Sequence, residues 1–261
     1  MMVPLADTHV HLLAGKDDGP ATLEEAVAMC RMLVSEGVRA AAGLAHQNHG
    51  YPENTPQALR DAAKELSATL KAEKIPLTIY PSAETMASPD LVEKWVAGQW
   101  LSIGDRKKFL LVEMPHGMFL DLRPAAMAFK PLGIRIIVAH AERYPELLHD
   151  RGLCEEWIRL GCLIQVTGRG LSKPPSGKDE AALKDWVKRG LVHLLGSDGH
   201  NLNTRQPRLK DGYATLVRWA GMAAADRIGG IWGNAVLQGL PVMTPLPQKP
   251  KTSWFSNLFG R

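Results

Sequence analysis

An alternation that runs along nearly the whole chain constrains the fold more than any other feature. Short apolar, β-branched-rich runs at 3–10, 38–45, 77–83, 109–114, 134–139, 162–167 and 192–196 are separated by longer amphipathic stretches. The first kind reads as strands and the second as helices. Thr22-Leu-Glu-Glu25 is a capping box opening a helix that Gly37 closes. Thr55-Pro56 opens another that ends near Lys74, because Pro76 forbids continuation. Further helices are expected over 89–97, 123–132, 153–160, 179–189 and 209–220. Strict β-α alternation with crossover lengths calls for a parallel sheet with right-handed connections. About seven units predict a closed or nearly closed TIM-like α/β barrel, with an open doubly wound sheet as the alternative. Neither a glycine-rich dinucleotide fingerprint nor a P-loop follows any strand.

Composition narrows the class further. Of 261 residues, 45% are hydrophobic and 22% charged, which is ordinary for a globular domain. No apolar run approaches the roughly 18 residues of a membrane span, and the N-terminus lacks the features of a signal peptide, so a cytoplasmic protein is expected. The 31 basic side chains against 27 acidic give only +4, without concentration on one element, which argues against nucleic-acid binding. Cys30, Cys154 and Cys162 form no C-x-x-C pair and read as buried thiols. Only 244–261 changes character, a proline- and lysine-rich linker followed by a short aromatic segment. Residues 1–243 are therefore expected to form the barrel. Trp254, Phe255, Leu258 and Phe259 would form one apolar stripe in a helix, suited to packing on the barrel, a partner subunit or a membrane.

The chemistry stands at the strand ends. The first strand ends in Asp7-Thr-His-Val-His11, and Asp17-Asp18-Gly19 follow in its turn. His46 ends the second, Glu84 the third and Glu113 the fourth. The fifth ends in His140-Ala-Glu-Arg143 and the last in Ser197-Asp198-Gly199-His200. A barrel gathers the C-terminal ends of its strands on one face. His9, His11, Asp18, His46, Glu84, Glu113, His140, Asp198 and His200 thus become nine candidate ligands, a mix suited to zinc, manganese or iron. Nine exceed the needs of one ion, so at least two are implied, the arrangement that clamps both oxygens of a hydrolysis. With four carboxylates, two divalent ions leave the cluster nominally neutral and three leave it about +2, before Arg143 and Arg205 are counted. The second case calls for an anionic ligand, and phosphate suits the forked arginine donors.

These motifs, with Leu44-Ala-His46, Ala83-Glu-Thr85, Val112-Glu-Met-Pro115 and His140-Ala-Glu-Arg-Tyr144, resemble in order those of the PHP (polymerase and histidinol phosphatase) superfamily. Asp17-Asp-Gly19, His140–Tyr144 and Ser197-Asp-Gly-His-Asn201 followed by Arg205 resemble more specifically the bacterial CpsB/CapC tyrosine phosphatases of capsule and exopolysaccharide synthesis. The resemblance runs from Asp7 to about Val242. It implies a distorted (β/α)7 barrel of PHP type with a trinuclear site, usually of Mn2+, with Fe, Zn, Mg and Co as alternatives. All nine residues would then be metal ligands, and Arg143 and Arg205 would hold the phosphate. The substrate implied is phosphotyrosine on a partner protein, a membrane-associated tyrosine autokinase, and a homo-oligomer is compatible with it. Two departures stand out: Thr167 where the family pattern has asparagine, and Ser82-Ala-Glu84 in place of Gly-Ala-Glu.

Other residues take plainer roles. His149 is expected at a helix end and His193 in the core or at its rim. His49 and His116 lie just beyond strand ends as pocket-lining candidates, with proton donation to a leaving group as one role. Asp7 is expected to support the site by orienting a histidine rather than to bind metal. Trp157 and Trp186 read as helix-face packing. The spacings Cys154 to Arg159 and Cys162 to Arg169 leave four and six residues between, which excludes the cysteine-based phosphatase loop. The rival functions are a small-molecule phosphatase of the histidinol-phosphate type and a non-catalytic kinase-binding regulator, which would be expected to have lost ligands.

Overall fold

A computed structural model describes residues 3–244. The tail segment expected to dock through Trp254, Phe255, Leu258 and Phe259 lies outside the described residues. The strands are β1 (Leu5–His11), β2 (Val38–Leu44), β3 (His46–Gln47), β4 (Thr78–Pro81), β5 (Glu84–Met86), β6 (Phe109–Glu113), β7 (Arg135–Val138), β8 (Leu163–Thr167) and β9 (Leu194–Gly196). Every pairing between them is parallel. One sheet has the order β1-β2-β4 and the other β3-β5-β6-β7-β8-β9. The runs at 38–45 and 77–83, each read as leading through one strand to its ligand, are broken at Ala45 and at Ser82-Ala83. Pairing continues across the breaks, with Ser82 N–H donating to Gly43 O and Glu84 N–H to Ala45 O, both at 3.1 Å. The far edges meet at their C-terminal ends. Val10 bridges Gly199 in parallel, and His11 N–H donates to Gly199 O at 2.9 Å. The result is a curled, TIM-like parallel sheet.

The expected helices form near their expected bounds: α1 (Leu23–Ser35), α2 (Pro56–Ala72), α3 (Leu91–Val96), α4 (Arg123–Phe129), α6 (Arg151–Arg159), α8 (Gly177–Lys188) and α9 (Lys210–Ala220). The Thr22 side chain caps α1 by accepting from Glu25 N–H. Thr55 caps α2, where Pro56 occupies the first turn that tolerates a missing N–H. Short helices α5 (Pro145–Leu148) and α7 (Gly168–Ser172) were not anticipated, nor were α10 (Met222–Asp226) and α11 (Trp232–Leu237), joined by a π-helical turn at Arg227–Ile231.

The two faces of the strands bury different cores. Leu110, Val112, Ile136, Val138, Ile164 and Val166 join the large cluster beneath the helices. The alternate set, including Ala42, Leu44, Phe109, Leu111, Leu163 and Leu194, fills the inside of the curl with Val236 and Leu237 of α11. The period of two then determines what stands above this inner core. Continuing each inner row by one step gives His46 after Leu44, Glu113 after Leu111, Gln165 after Leu163, and Gly196 then Asp198 after Leu194. Apolar rows thus form a floor, and the next residue on each of these rows but Gly196 carries a polar group to the C-terminal rim.

Candidate metal centre

All nine sequence-derived ligand candidates meet at this rim. Glu84, at the start of β5, stands in the middle: its carboxylate oxygens lie 3.3 Å from His9 Nε2, 3.3 Å from His11 Nε2, 3.2 Å from His46 Nδ1 and 3.1 Å from His140 Nε2. Glu113 adds an oxygen 3.1 Å from His46 Nδ1, and Asp198 one 3.3 Å from His9 Nε2. Asp18 reaches in from the turn after β1, 3.5 Å from His46 Nε2 and 3.3 Å from His200 Nε2.

The backbone is bent to achieve this. His140 and Asp198 follow β7 and β9 with φ of 31° and 53°, a left-handed conformation unfavourable for residues with a Cβ and common at functional sites. Gly196 leaves room for His9, since a Cβ there would come within 2.6 Å of the His9 Cβ.

Four of the five imidazoles are held by the ring nitrogen that faces away from the cluster. His9 Nδ1 meets Gln165 Oε1 at 2.8 Å, His11 Nδ1 meets Asp17 Oδ2 at 2.6 Å, His140 Nδ1 meets the Tyr144 hydroxyl at 3.1 Å, and His200 Nδ1 meets the Asp198 carbonyl at 3.0 Å. The amide, carboxylate and carbonyl oxygens facing His9, His11 and His200 favour a proton on Nδ1 and turn Nε2 inward, while the Tyr144 hydroxyl holds the His140 ring in place. His46 instead directs both nitrogens at carboxylates and so lies between groups. Asp17, Gln165 and Tyr144 were not anticipated in these roles. Asp7 supports the site rather than joining the ligand groups, but through the backbone and not an imidazole: its Oδ1 accepts from the main-chain N–H of His9 and of Ser197. Burial pushes the Asp7 carboxyl up to about 6.

The donor set fits divalent cations. His9 Nε2, His11 Nε2, His46 Nδ1, His200 Nε2 and Glu84 Oε1 are buried without a hydrogen-bond partner. Orphaned buried polar atoms are rare and ask for a counterpart. Three overlapping groups have donor atoms within 4.8 Å of one another: His9, His11 and Glu84; His46, Glu84 and Glu113; and His11, Asp18, His46 and His200. Electrostatics agree. Burial opposes charge on His11, yet Asp17 and Glu84 push its pKa up to about 9, and on His46, where Asp18, Glu113 and Glu84 push it up to about 11. The His200 and His46 rings hold Asp18 well below the carboxylate range. Positive charge is thus favoured at His11 and His46, whereas burial holds His200 below the ordinary imidazole value.

Arg143 and Arg205 border the cluster. Arg143 donates to Asp198 Oδ2, while Arg205 donates to Asp198 at 3.0 Å and to Asp18 at 3.1 Å. A cavity of about 650 Å³ opens beside Arg143, where Glu113, His140 and Arg143 face Met86, Met118 and Phe119. His116 lines this cavity, whereas His49 lines a neighbouring groove. His149 ends α5 and pairs with Asp179 at 3.0 Å, and His193 is fully buried. Trp157 and Trp186 are buried on α6 and α8, and all three cysteines are free and buried. Thr167 caps α7 by accepting from Gly170 N–H, a role asparagine also performs, so the departure there costs no structure.

Fold and site together define an α/β protein of TIM-like form with an imidazole–carboxylate cluster suited to divalent cations at its strand ends. Residues 5–238 match the family described as capsular polysaccharide synthesis, CpsB/CapC, and the chain belongs to that family. It is 30% identical over 204 residues to the tyrosine-protein phosphatase YwqE of Bacillus subtilis (strain 168), covering 77% of this chain and 79% of YwqE. It is 26% identical over 229 residues to the tyrosine-protein phosphatase CpsB of Streptococcus pneumoniae, covering 86% and 94%. Among solved structures, one from work on YwqE and CpsB, described as unique metal-dependent tyrosine phosphatases, superposes with TM-score 0.85 at 25% identity. That match covers 95% of this chain and 100% of the other.

Proposed function

We propose that this protein is a metal-dependent protein tyrosine phosphatase of capsule or exopolysaccharide synthesis. The observation that carries the reading is the convergence of three overlapping groups able to hold cations with Arg143 and Arg205, both bonded to Asp198 beside His9. The family relationship to YwqE and CpsB supports it. The nine residues His9, His11, Asp18, His46, Glu84, Glu113, His140, Asp198 and His200 would hold up to three divalent ions, Mn2+ first among them, on a distorted (β/α)7 barrel of PHP type. Such ions supply Lewis acidity and bring the pKa of water toward neutrality.

The chain's own groups account for the rest. Arg143 and Arg205 offer planar donor forks to the phosphoryl oxygens, and Asp198 keeps both aimed at the cluster. Met86, Met118 and Phe119 supply an apolar wall for a phenyl ring, which an alkyl phosphate would not use. A tyrosine leaving group, with a pKa of about 10, departs with little protonation, so no dedicated acid is required. The substrate would be a tyrosine-phosphorylated protein, with a membrane-associated kinase the expected partner. Among the described residues no helix is long and apolar enough to cross a membrane, which suits action from the cytoplasm.

The test joins elemental analysis of the purified protein to turnover before chelation, after chelation and after add-back of Mn2+. A phosphotyrosine peptide and histidinol phosphate serve as parallel substrates. Metal-restored hydrolysis favouring the peptide is expected. Preference for histidinol phosphate would move the protein to small-molecule phosphatases, and inertness toward both would leave a binding role.

A further inference from the structure

A second cavity, of about 510 Å³, lies on the other side of Arg143 from the one that Glu113 and His140 line. Arg143, Asp198 and Arg205 form the wall nearest the cluster, and Arg169 of α7 and Lys173 just after it form part of the remainder. Beyond it a smaller hollow of about 310 Å³ takes in Arg169 and Lys173 again, together with Arg208. The carboxylates here are largely engaged. Glu142 accepts from the Thr167 main-chain N–H and hydroxyl, Asp179 is paired with His149 and Ser176, and Asp198 with Arg143 and Arg205. Asp211 stands at the far end beside Arg208. Arg169 bonds only the Thr204 carbonyl and Arg208 only the Gln206 side chain, and Lys173 has no side-chain partner among the described residues. Three cations thus line a trough that leads away from the two arginines, and none is neutralised by an ion pair among the described residues.

We infer that this trough reads acidic side chains flanking the phosphorylated tyrosine, so that the preferred substrate is an acidic segment of a phosphoprotein. The inference rests on the phosphatase reading above and adds its sequence preference. The geometry gives the order of events in space: the phosphoryl group meets Arg143 and Arg205 at the rim, and a neighbouring aspartate or glutamate falls toward Arg169 and Lys173. Charge complementarity of this kind sets partner choice and encounter rate and weakens with salt. The anchor of α7 keeps the trough in place. Gly168 and Gly212 pack backbone to backbone, where a Cβ on Gly212 would lie 2.5 Å from the Gly168 Cα.

The variant is Arg169→Gln with Lys173→Gln, two exposed side chains whose loss leaves the core and the cluster intact. Two phosphotyrosine peptides are compared, one flanked by Asp and Glu on both sides and one by Ser and Gln. Binding is read by fluorescence polarisation of labelled peptides, and turnover by phosphate release. The parent protein should bind the acidic peptide about tenfold tighter at low salt, the double variant should lose most of that margin, and the neutral peptide should not distinguish them. Equal affinity of the parent for both peptides, or a preference that survives in the double variant, overturns the inference. Because binding is measured apart from turnover, tight charge-selective binding without phosphate release would strike the phosphatase reading and leave the trough standing.

Discussion

Asp198 stands between His9 and Arg143, with Oδ1 3.3 Å from His9 Nε2 and Oδ2 accepting from the guanidinium. One carboxylate therefore belongs at once to the imidazole cluster and to the arginine pair. Burial disfavours its charge, yet His9, Arg143 and His11 hold its pKa well below the carboxylate range. Its left-handed backbone turns the side chain into this double role, and Arg205 Nη2 donates to both of its oxygens while Nη1 donates to Asp18.

Replacing His9, Glu113 or Asp198 with alanine should abolish phosphatase activity, a fall of at least about a thousandfold. Each change opens the shared cluster, which on this reading would hold the ions that bring the pKa of water toward neutrality. Asp198→Ala should also release Arg143 and Arg205 from their common partner and weaken inhibition by inorganic phosphate. Elemental analysis beside kinetics checks this, and near-parental turnover in any of the three would remove that residue from the cluster.

Arg143→Lys and Arg205→Lys should keep the metal content and lose most turnover, about tenfold to a hundredfold each. An ammonium is a point charge and cannot reproduce two parallel N–H donors to phosphoryl oxygens. The readouts are kcat/KM on an aryl phosphate and the inhibition constant of phosphate. Unchanged values of both would place the side chains outside the phosphate pocket.

Asp17→Ala and Gln165→Leu remove no candidate ligand, yet each frees an imidazole to rotate. Asp17 also accepts from the main-chain N–H of His46 at 2.9 Å, so its loss loosens two rings together. Contacts of this kind are worth roughly 10- to 100-fold in metal affinity. Titration of the chelated protein with Mn2+ should show that loss, with activity recovered at higher metal concentration. If metal affinity is untouched, these side chains serve packing alone.

The contrast between Asp17 and Asp18 shows where the sequence was legible and where it was not. Strand-end residues such as His46, Glu113 and Asp198 could be placed because a parallel barrel gathers the C-terminal ends of its strands on one face. Two adjacent carboxylates in a turn have no such fixed place, and only the chain path shows that Asp17 holds His11 while Asp18 reaches His46 and His200. Gln165 is 156 residues from His9, so its contact needs the assembled sheet. The helices after 220 escaped because Gly229, Gly230 and Gly233 weaken a helical pattern. The fold uses their missing side chains: a Cβ on Gly230 would lie 2.7 Å from Pro4 O, and one on Gly233 2.9 Å from the Ala6 Cβ. Close approach to β1 lets α11 cover the inner core. The breaks at Ala45 and Ser82-Ala83 are likewise invisible in an apolar run.

His193 supplies a prediction about acid stability. It lies fully buried, its Nδ1 accepts from Ile164 N–H at 2.9 Å, and its Nε2 has no partner. Burial pulls its pKa down to about 3 from the ordinary 6.5. A histidine with a lowered folded pKa is neutral in the fold but takes a proton in the unfolded chain. Its contribution is therefore neutral above pH about 6.5, and stability is lost as pH falls from there toward 3, on the order of 5 kcal/mol in the limit. His193→Asn can keep an acceptor for Ile164 N–H without a titrating ring. It should lower stability modestly at pH 7.5, through the space it leaves, and lose less than the parent between pH 6.5 and 4.5. Urea midpoints for both proteins across that range, in one chelator-containing buffer, give the difference directly and cancel the titration of the metal centre. Parallel acid limbs would show that His193 is not the group that senses the proton.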